Sequence, residues 1–151
     1  MTNEDDIATL NGLIETTIDS ADGYEQAAVS ADDAALAETF RKFGSERRQI
    51  VADLRAEVLA LGGEPEDEGT LLASAHRSFV KLKSLFGSSR EGVIAEVEAG
   101  EDHIKHKYEK ALQATIKPQT RAAIERAHAS VRRGHDTFSA MKHAYHSGTA
   151  A

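Results

Sequence analysis

Apolar residues recur every three or four positions along most of the chain, the spacing that places them on one face of an α-helix. The first such stretch follows Asn3, a residue that can cap a helix. Its apolar positions are Ile7, Leu10, Ile14, Ile18, Ala21, Tyr24 and Ala28. The second stretch follows Ser30 and Asp33, which resemble a capping box, and it ends at Gly62 and Gly63. Runs of strand-forming residues are missing, so the pattern predicts an all-α protein.

Three further amphipathic stretches complete the chain, and the last of them begins at Pro118, a residue that the first turn of a helix tolerates. We predict helices over about residues 4–29, 32–61, 71–86, 89–116 and 118–146. We assign residues 1–147 to a single four-helix-bundle domain and residues 148–151 to a frayed tail.

Connection lengths indicate how these helices are arranged. The first two long helices are separated by only a few residues, as are the last two, so each pair should be antiparallel. About 25 residues lie between the second and third long helices, and at ~1.5 Å per residue the short connector helix within them can travel roughly 25 Å. We therefore expect a ferritin-like four-helix bundle with one long crossover. An up-and-down bundle with an additional docked helix is the alternative.

Charge and composition narrow the class of protein. The chain has 151 residues, 25 acidic and 18 basic side chains and a net charge of -7. Cysteine is absent, which excludes disulfides, thiolate metal sites and cysteine nucleophiles. The acidic N-terminus is unlike a signal peptide, and no apolar stretch approaches the ~18 residues of a membrane span. We therefore expect a cytoplasmic protein that does not bind membranes. We also expect no binding to nucleic acid, since the net charge is negative.

The informative anomaly is a set of polar residues on the apolar faces. Glu101 occupies a core position of its helix, while His128 and His135 lie a heptad apart on the apolar face of the last helix. Glu125 precedes His128 by one turn. Because an ionised carboxylate inside a bundle costs several kcal/mol unless it is compensated, this pattern indicates either a metal or a tight hydrogen-bond network.

A di-metal site is the sharper of these two interpretations. Carboxylate-bridged bundles use single Glu residues from two helices and a Glu-x-x-His pair from each of the others. Glu125 and His128 have this spacing, and Glu46 has it with Gln49 in place of histidine. Counting along the helices of a crossover bundle brings the candidates within about 10 Å along the axis. The predicted metal ligands are Glu15, Glu46, Glu101, Glu125, His128 and His135.

The other interpretation is a buried ion pair or hydrogen-bond network, for instance between Glu101 and His135 or Arg132. Gln49 favours it, because a neutral amide is a poor ligand for a redox ion. Within the metal interpretation, Glu98 lies one turn from Glu101 and could replace it. The phosphate-loop, nucleophile-elbow and His-Glu-x-x-His motifs are absent, so we name no catalytic residue.

Five short segments carry a family resemblance. They are Leu10-Asn-Gly-Leu-Ile-Glu-Thr, Asp22-Gly-Tyr-Glu-Gln-Ala-Ala28, Leu61-Gly-Gly-Glu-Pro65, His76-Arg77 and Gly100-Glu-Asp102. On these segments the chain resembles the bacterial ferritin-like four-helix-bundle proteins of unknown function, which are related to rubrerythrin- and bacterioferritin-type bundles. The resemblance covers roughly residues 5–145. The resemblance implies a ferritin-like fold but brings no established activity. Carrying its di-iron pattern over points to a ligand set with Gln49 as the departure, made up of Glu15, Glu46, Glu101, Glu125 and His128.

We therefore expect a bundle that binds iron, or else manganese or zinc, in a stress-related role. Any enzymatic activity would be ferroxidase- or peroxidase-like. The alternative is a metal-free helical module that acts as an interaction or scaffold protein. In either case we expect a homo-oligomer, with a dimer favoured.

Overall fold

The computed structural model describes residues 2–31, 33–67 and 90–146. These residues form four long helices: α1 (Asn3–Ser30), α2 (Ala34–Ala60), α3 (Arg90–Gln113) and α4 (Pro118–His146). No strand occurs within these ranges, which confirms the all-α prediction. The predicted connector helix over 71–86 and the tail over 148–151 lie outside the described residues. None of the described helices combines the length and the apolar character needed to cross a membrane.

Local capping chemistry sets where the helices begin and end. Thr2 caps α1, and its hydroxyl accepts a backbone N–H from the first turn at 3.1 Å. Asn3 is therefore the first helical residue and not the predicted cap. Asp33 caps α2 with its carboxylate, whereas Ser30 is the last residue of α1, so the cap of α2 is Asp33 and not the predicted Ser30. After α2 the chain turns at Gly62, whose φ of 83° suits glycine, as predicted.

Side-chain contacts fix the directions of α1 and α2. Asn3, at the start of α1, donates to the carbonyl of Leu61 at the end of α2, with 3.4 Å between the two atoms. Near the other end of the pair, Arg48 of α2 binds Glu25 of α1 at 2.8 Å. The two helices are therefore antiparallel, as expected from their short connection.

The same reasoning orients α3. Tyr24 of α1 donates to Glu101 of α3, and the hydroxyls of Thr17 and Tyr108 lie 2.7 Å apart. Positions later in α1 thus meet positions earlier in α3, so α1 and α3 are antiparallel, and α2 and α3 run in the same direction. The end of α2 and the start of α3 lie at opposite ends of the bundle, as expected for one long crossover between them.

Among the described residues, the hydrophobic interior forms two clusters. One is mainly aliphatic and includes Ile18, Ile50, Ile104 and Val131. The other is rich in aromatic side chains and includes Tyr24, Phe40, Phe43, Val93, Ile94 and Phe138. On α2, Arg47 lies between the two clusters, and on α3 Glu101 does so. Both residues are buried, so a polar layer crosses the middle of the bundle.

Candidate functional site

The polar layer is built around an ion pair between α2 and α3. Arg47 Nη2 lies 2.6 Å from Glu101 Oε2, and Nη1 lies 3.3 Å from Oε1. The two side chains are 0% and 3% exposed. Tyr24 donates its hydroxyl to Oε1 at 2.5 Å, so three donors from two helices converge on one carboxylate. A buried ion pair of Glu101 was the predicted alternative to a metal site. Its partner is Arg47 and not His135 or Arg132.

Burial and charge act against each other within this layer. Burial raises the pKa of Glu101 above its ordinary value, and the positive charge of Arg47 limits that rise. Burial, together with the negative charge of Glu101, holds the pKa of Tyr24 well above its ordinary value. Tyr24 therefore stays protonated and donates to the carboxylate throughout the neutral range.

A glycine on α4 makes room for the ion pair. A Cβ atom at Gly134 would lie 2.5 Å from both Arg47 Nη2 and Glu101 Oε2. Such distances are far below van der Waals contact, so the paired groups pack directly against the backbone of α4. All four helices therefore shape the layer: α1 supplies the tyrosine hydroxyl, α2 the cation, α3 the anion and α4 the space.

Two other predicted ligands, Glu46 and Glu125, have surroundings of their own. Glu46 accepts hydrogen bonds from Ser130 and Arg133 of α4, each at 3.1 Å. Glu125 is exposed on α4. Neither carboxylate belongs to the Arg47–Glu101 layer.

Glu15 and His128 have separate surroundings as well. Partial burial and the negative charge of Glu66, in the loop after α2, raise the pKa of Glu15. The His128 ring is stacked on Tyr108 with 6.3 Å between ring centroids, and desolvation lowers its pKa. Its Nε2 atom is buried without a hydrogen-bond partner among the described residues. The six predicted ligands are therefore not brought together at one site.

His135, in contrast, faces two carboxylates of α3. Its Nε2 atom lies 3.3 Å from Asp102 Oδ1 and 4.0 Å from Glu98 Oε1. One ligand atom from each residue falls within 4.8 Å of the other two. Glu98 and Asp102 are four residues apart, which places them on one face of α3 opposite α4. Within the described ranges, this group has the composition and spacing needed to hold a metal ion.

Two charged residues complete the surroundings of this cluster. Asp136 Oδ1 lies 3.2 Å from His135 Nδ1, the ring nitrogen that faces away from α3. Lys142 Nζ, two turns further along α4, lies 3.3 Å from Glu98 Oε2. His135 and Glu98 are each 16% exposed and Asp102 is 49% exposed, so the cluster is at the edge of the bundle and solvent can reach it.

Three residues of the polar layer and the edge cluster were not predicted as site residues from the sequence. Glu98 entered only as a substitute for Glu101, whereas Asp102 and Arg47 were not considered as site residues. The i,i+4 spacing of Glu98 and Asp102 was one available signal. Another was the placement of Arg47 within an apolar stripe, between Phe43 and Ile50.

Comparison with curated proteins gives no match. A family model described as a domain of unknown function, DUF2383, matches residues 5–114. The matched residues cover nearly all of α1 and the whole of α2 and α3, including Arg47, Glu98, Glu101 and Asp102. Since this is well over half of the sequence, the chain belongs to the DUF2383 family.

Proposed function

We propose that this protein is a ferritin-like bundle that binds a divalent transition-metal ion at the edge between α3 and α4, through Glu98, Asp102 and His135. The observation that carries the proposal is the approach of one imidazole nitrogen and two carboxylate oxygens to within 4.8 Å of one another. Imidazole suits zinc and iron, and carboxylates suit iron and manganese, so this donor set is suitable for a first-row divalent ion.

The ferritin-like assignment rests on helix order. The helices α1 and α2 are antiparallel, and so are α3 and α4, because the earlier Glu98 meets the later Lys142 and the later Asp102 meets the earlier His135. The two pairs are joined so that α2 and α3 run in the same direction, the arrangement of bundles with one long crossover. An up-and-down bundle would instead make α2 and α3 antiparallel.

The interior does not fit the di-iron site that the family resemblance implied. Arg47 already neutralises Glu101, and a guanidinium group 2.6 Å from the carboxylate would repel a metal cation. Beside Gly134 the paired groups already occupy the space next to the backbone of α4, since even a Cβ atom there would collide with both. The proposed ion is therefore assigned to the edge cluster and not to the core.

Asp136 supports the edge site by orienting its histidine. When His135 Nδ1 carries the proton and donates a hydrogen bond to Asp136, the lone pair of Nε2 is directed toward Glu98 and Asp102. A carboxylate behind the ligating imidazole is a common arrangement in metal sites. The chemistry supplied by the ion would be redox reaction with oxygen or peroxide for iron, which suits a stress-related role, or Lewis-acid catalysis for zinc or manganese.

The test is metal binding by untagged protein. Calorimetric titration with zinc, manganese and, without oxygen, ferrous iron should give one ion per chain, and His135→Ala should weaken binding by at least about tenfold. His103→Ala is the matched control, since His103 is an exposed histidine on α3. An equal loss of metal affinity in both variants would contradict the proposal, as would no metal binding by the wild-type protein and its variants. Either result would favour the alternative of a metal-free helical interaction module.

A further inference from the structure

The Glu98 carboxylate is shared between the proposed metal site and a cation of the chain itself. Its Oε1 atom faces His135 Nε2 at 4.0 Å, while its Oε2 atom lies 3.3 Å from Lys142 Nζ. Lys142 and His135 both belong to α4, seven residues apart, and thus lie on the same side of that helix. The ammonium group consequently stands beside the ligand atoms.

We infer that Lys142 competes with the metal for Glu98 and thereby limits the affinity of the site; this inference rests on the proposed function. In the metal-free protein the ammonium group neutralises Glu98. A bound divalent cation would place two positive charges next to the ammonium group of Lys142. Their repulsion weakens metal binding unless Lys142 moves away.

The character of the side chain suits an exchangeable counter-ion. Lys142 is 40% exposed and pairs with Glu98 through one ammonium group, and its four-carbon stem can turn that group into water at low cost. Arg47 differs in each respect, because it is fully buried and contacts Glu101 through two nitrogens. The bundle thus holds a permanent cation in its core and a displaceable cation at its edge.

The experiment compares Lys142→Met with the wild-type protein in calorimetric titrations with zinc and manganese at low ionic strength. Removing one nearby positive charge should tighten binding by about tenfold. Lys110→Met is the matched control, since Lys110 is an exposed lysine in the last turn of α3, and it should change affinity by less than about twofold. Adding His135→Ala to Lys142→Met should abolish the gain.

Thermal unfolding supplies a second readout. Metal should raise the melting temperature of Lys142→Met more than that of wild type at the same metal concentration, because stabilisation grows with affinity. Lys142→Gln should behave in the same way and guards against a folding defect specific to methionine.

The outcomes separate this inference from the function on which it rests. Metal binding that depends on His135 but is unchanged or weaker in Lys142→Met would overturn competition and leave the site in place. Absence of such binding from both proteins would overturn the site itself. Binding that is detectable only in Lys142→Met and is lost with His135→Ala would support strong competition.

Discussion

Two sets of carboxylates on α3 lie within one turn of each other and are compensated in different ways. Glu101 points into the bundle and is held by Arg47 and Tyr24, beyond the reach of water. Glu98 and Asp102 point toward α4 at the edge of the bundle, where Lys142 and His135 approach them. A carboxylate in the core needs its counter-ion in every folded molecule, because the cost of an uncompensated buried charge is several kcal/mol. At the edge, water screens the charge, and the counter-ion can be exchanged.

The largest effect should follow from removing the core cation. Arg47→Met would leave Glu101 buried without its counter-ion, and we expect the free energy of unfolding to fall by about 3–5 kcal/mol. Urea unfolding followed by circular dichroism measures this change. Arg41→Met is the control, since Arg41 forms an exposed pair with Glu38 and its loss should cost less than about 1 kcal/mol.

A second variant distinguishes loss of the charge pair from loss of packing. Arg47→Met combined with Glu101→Met replaces both charges with apolar groups and should recover most of the stability. If the double variant is as unstable as Arg47→Met alone, side-chain packing and not charge pairing stabilises the layer. The proposed difference between the core and edge carboxylates would then be unsupported.

Closing the space beside the ion pair should have the next largest effect. In Gly134→Ala the new methyl group would collide with Arg47 and Glu101, neither of which can move without breaking the pair. The overpacking should outweigh the helix propensity of alanine, for a net loss of about 1–2 kcal/mol. Gly12→Ala is the matched control, since that helical glycine has open space around it and should gain up to about 1 kcal/mol. A gain in both variants would mean that the layer has room to adjust.

Much of the fold could be predicted because its determinants are local. Gly62 ends α2 through the backbone conformation that glycine favours, and the apolar spacing identified Glu101 as a buried position. The crossover followed from a connection too long for a tight turn. These features depend on short sequence distances, which a single sequence displays.

The partners of the polar residues could not be predicted in the same way. Arg47 and Glu101 are 54 residues apart, and whether they meet depends on the rotation and axial shift of α2 against α3. On α3, moving by one residue turns the side chain by about 100°, which separates the core-facing Glu101 from the edge-facing Asp102. The predicted ligand set required Glu15, Glu46 and Glu101 to point toward the same part of the interior. Hydrophobic periodicity does not determine the rotation of each helix about its own axis closely enough to establish this.

The smallest effect on stability should come from the edge cluster. Asp102→Asn removes a carboxylate that is half exposed and faces His135 at 3.3 Å. In the presence of a metal chelator at pH 7 we expect the free energy of unfolding to change by no more than about 0.5 kcal/mol, because exposed ion pairs contribute little. Urea unfolding beside Asp53→Asn, which alters an exposed carboxylate of α2, gives the reference value. A loss of more than about 2 kcal/mol would make the edge cluster a structural clasp between α3 and α4, with the same role as the core pair. A small change in the free energy of unfolding, accompanied by weaker metal binding, would instead show that the two sets of carboxylates have different roles. Glu101 would maintain the bundle, and Glu98 and Asp102 would be available to a ligand.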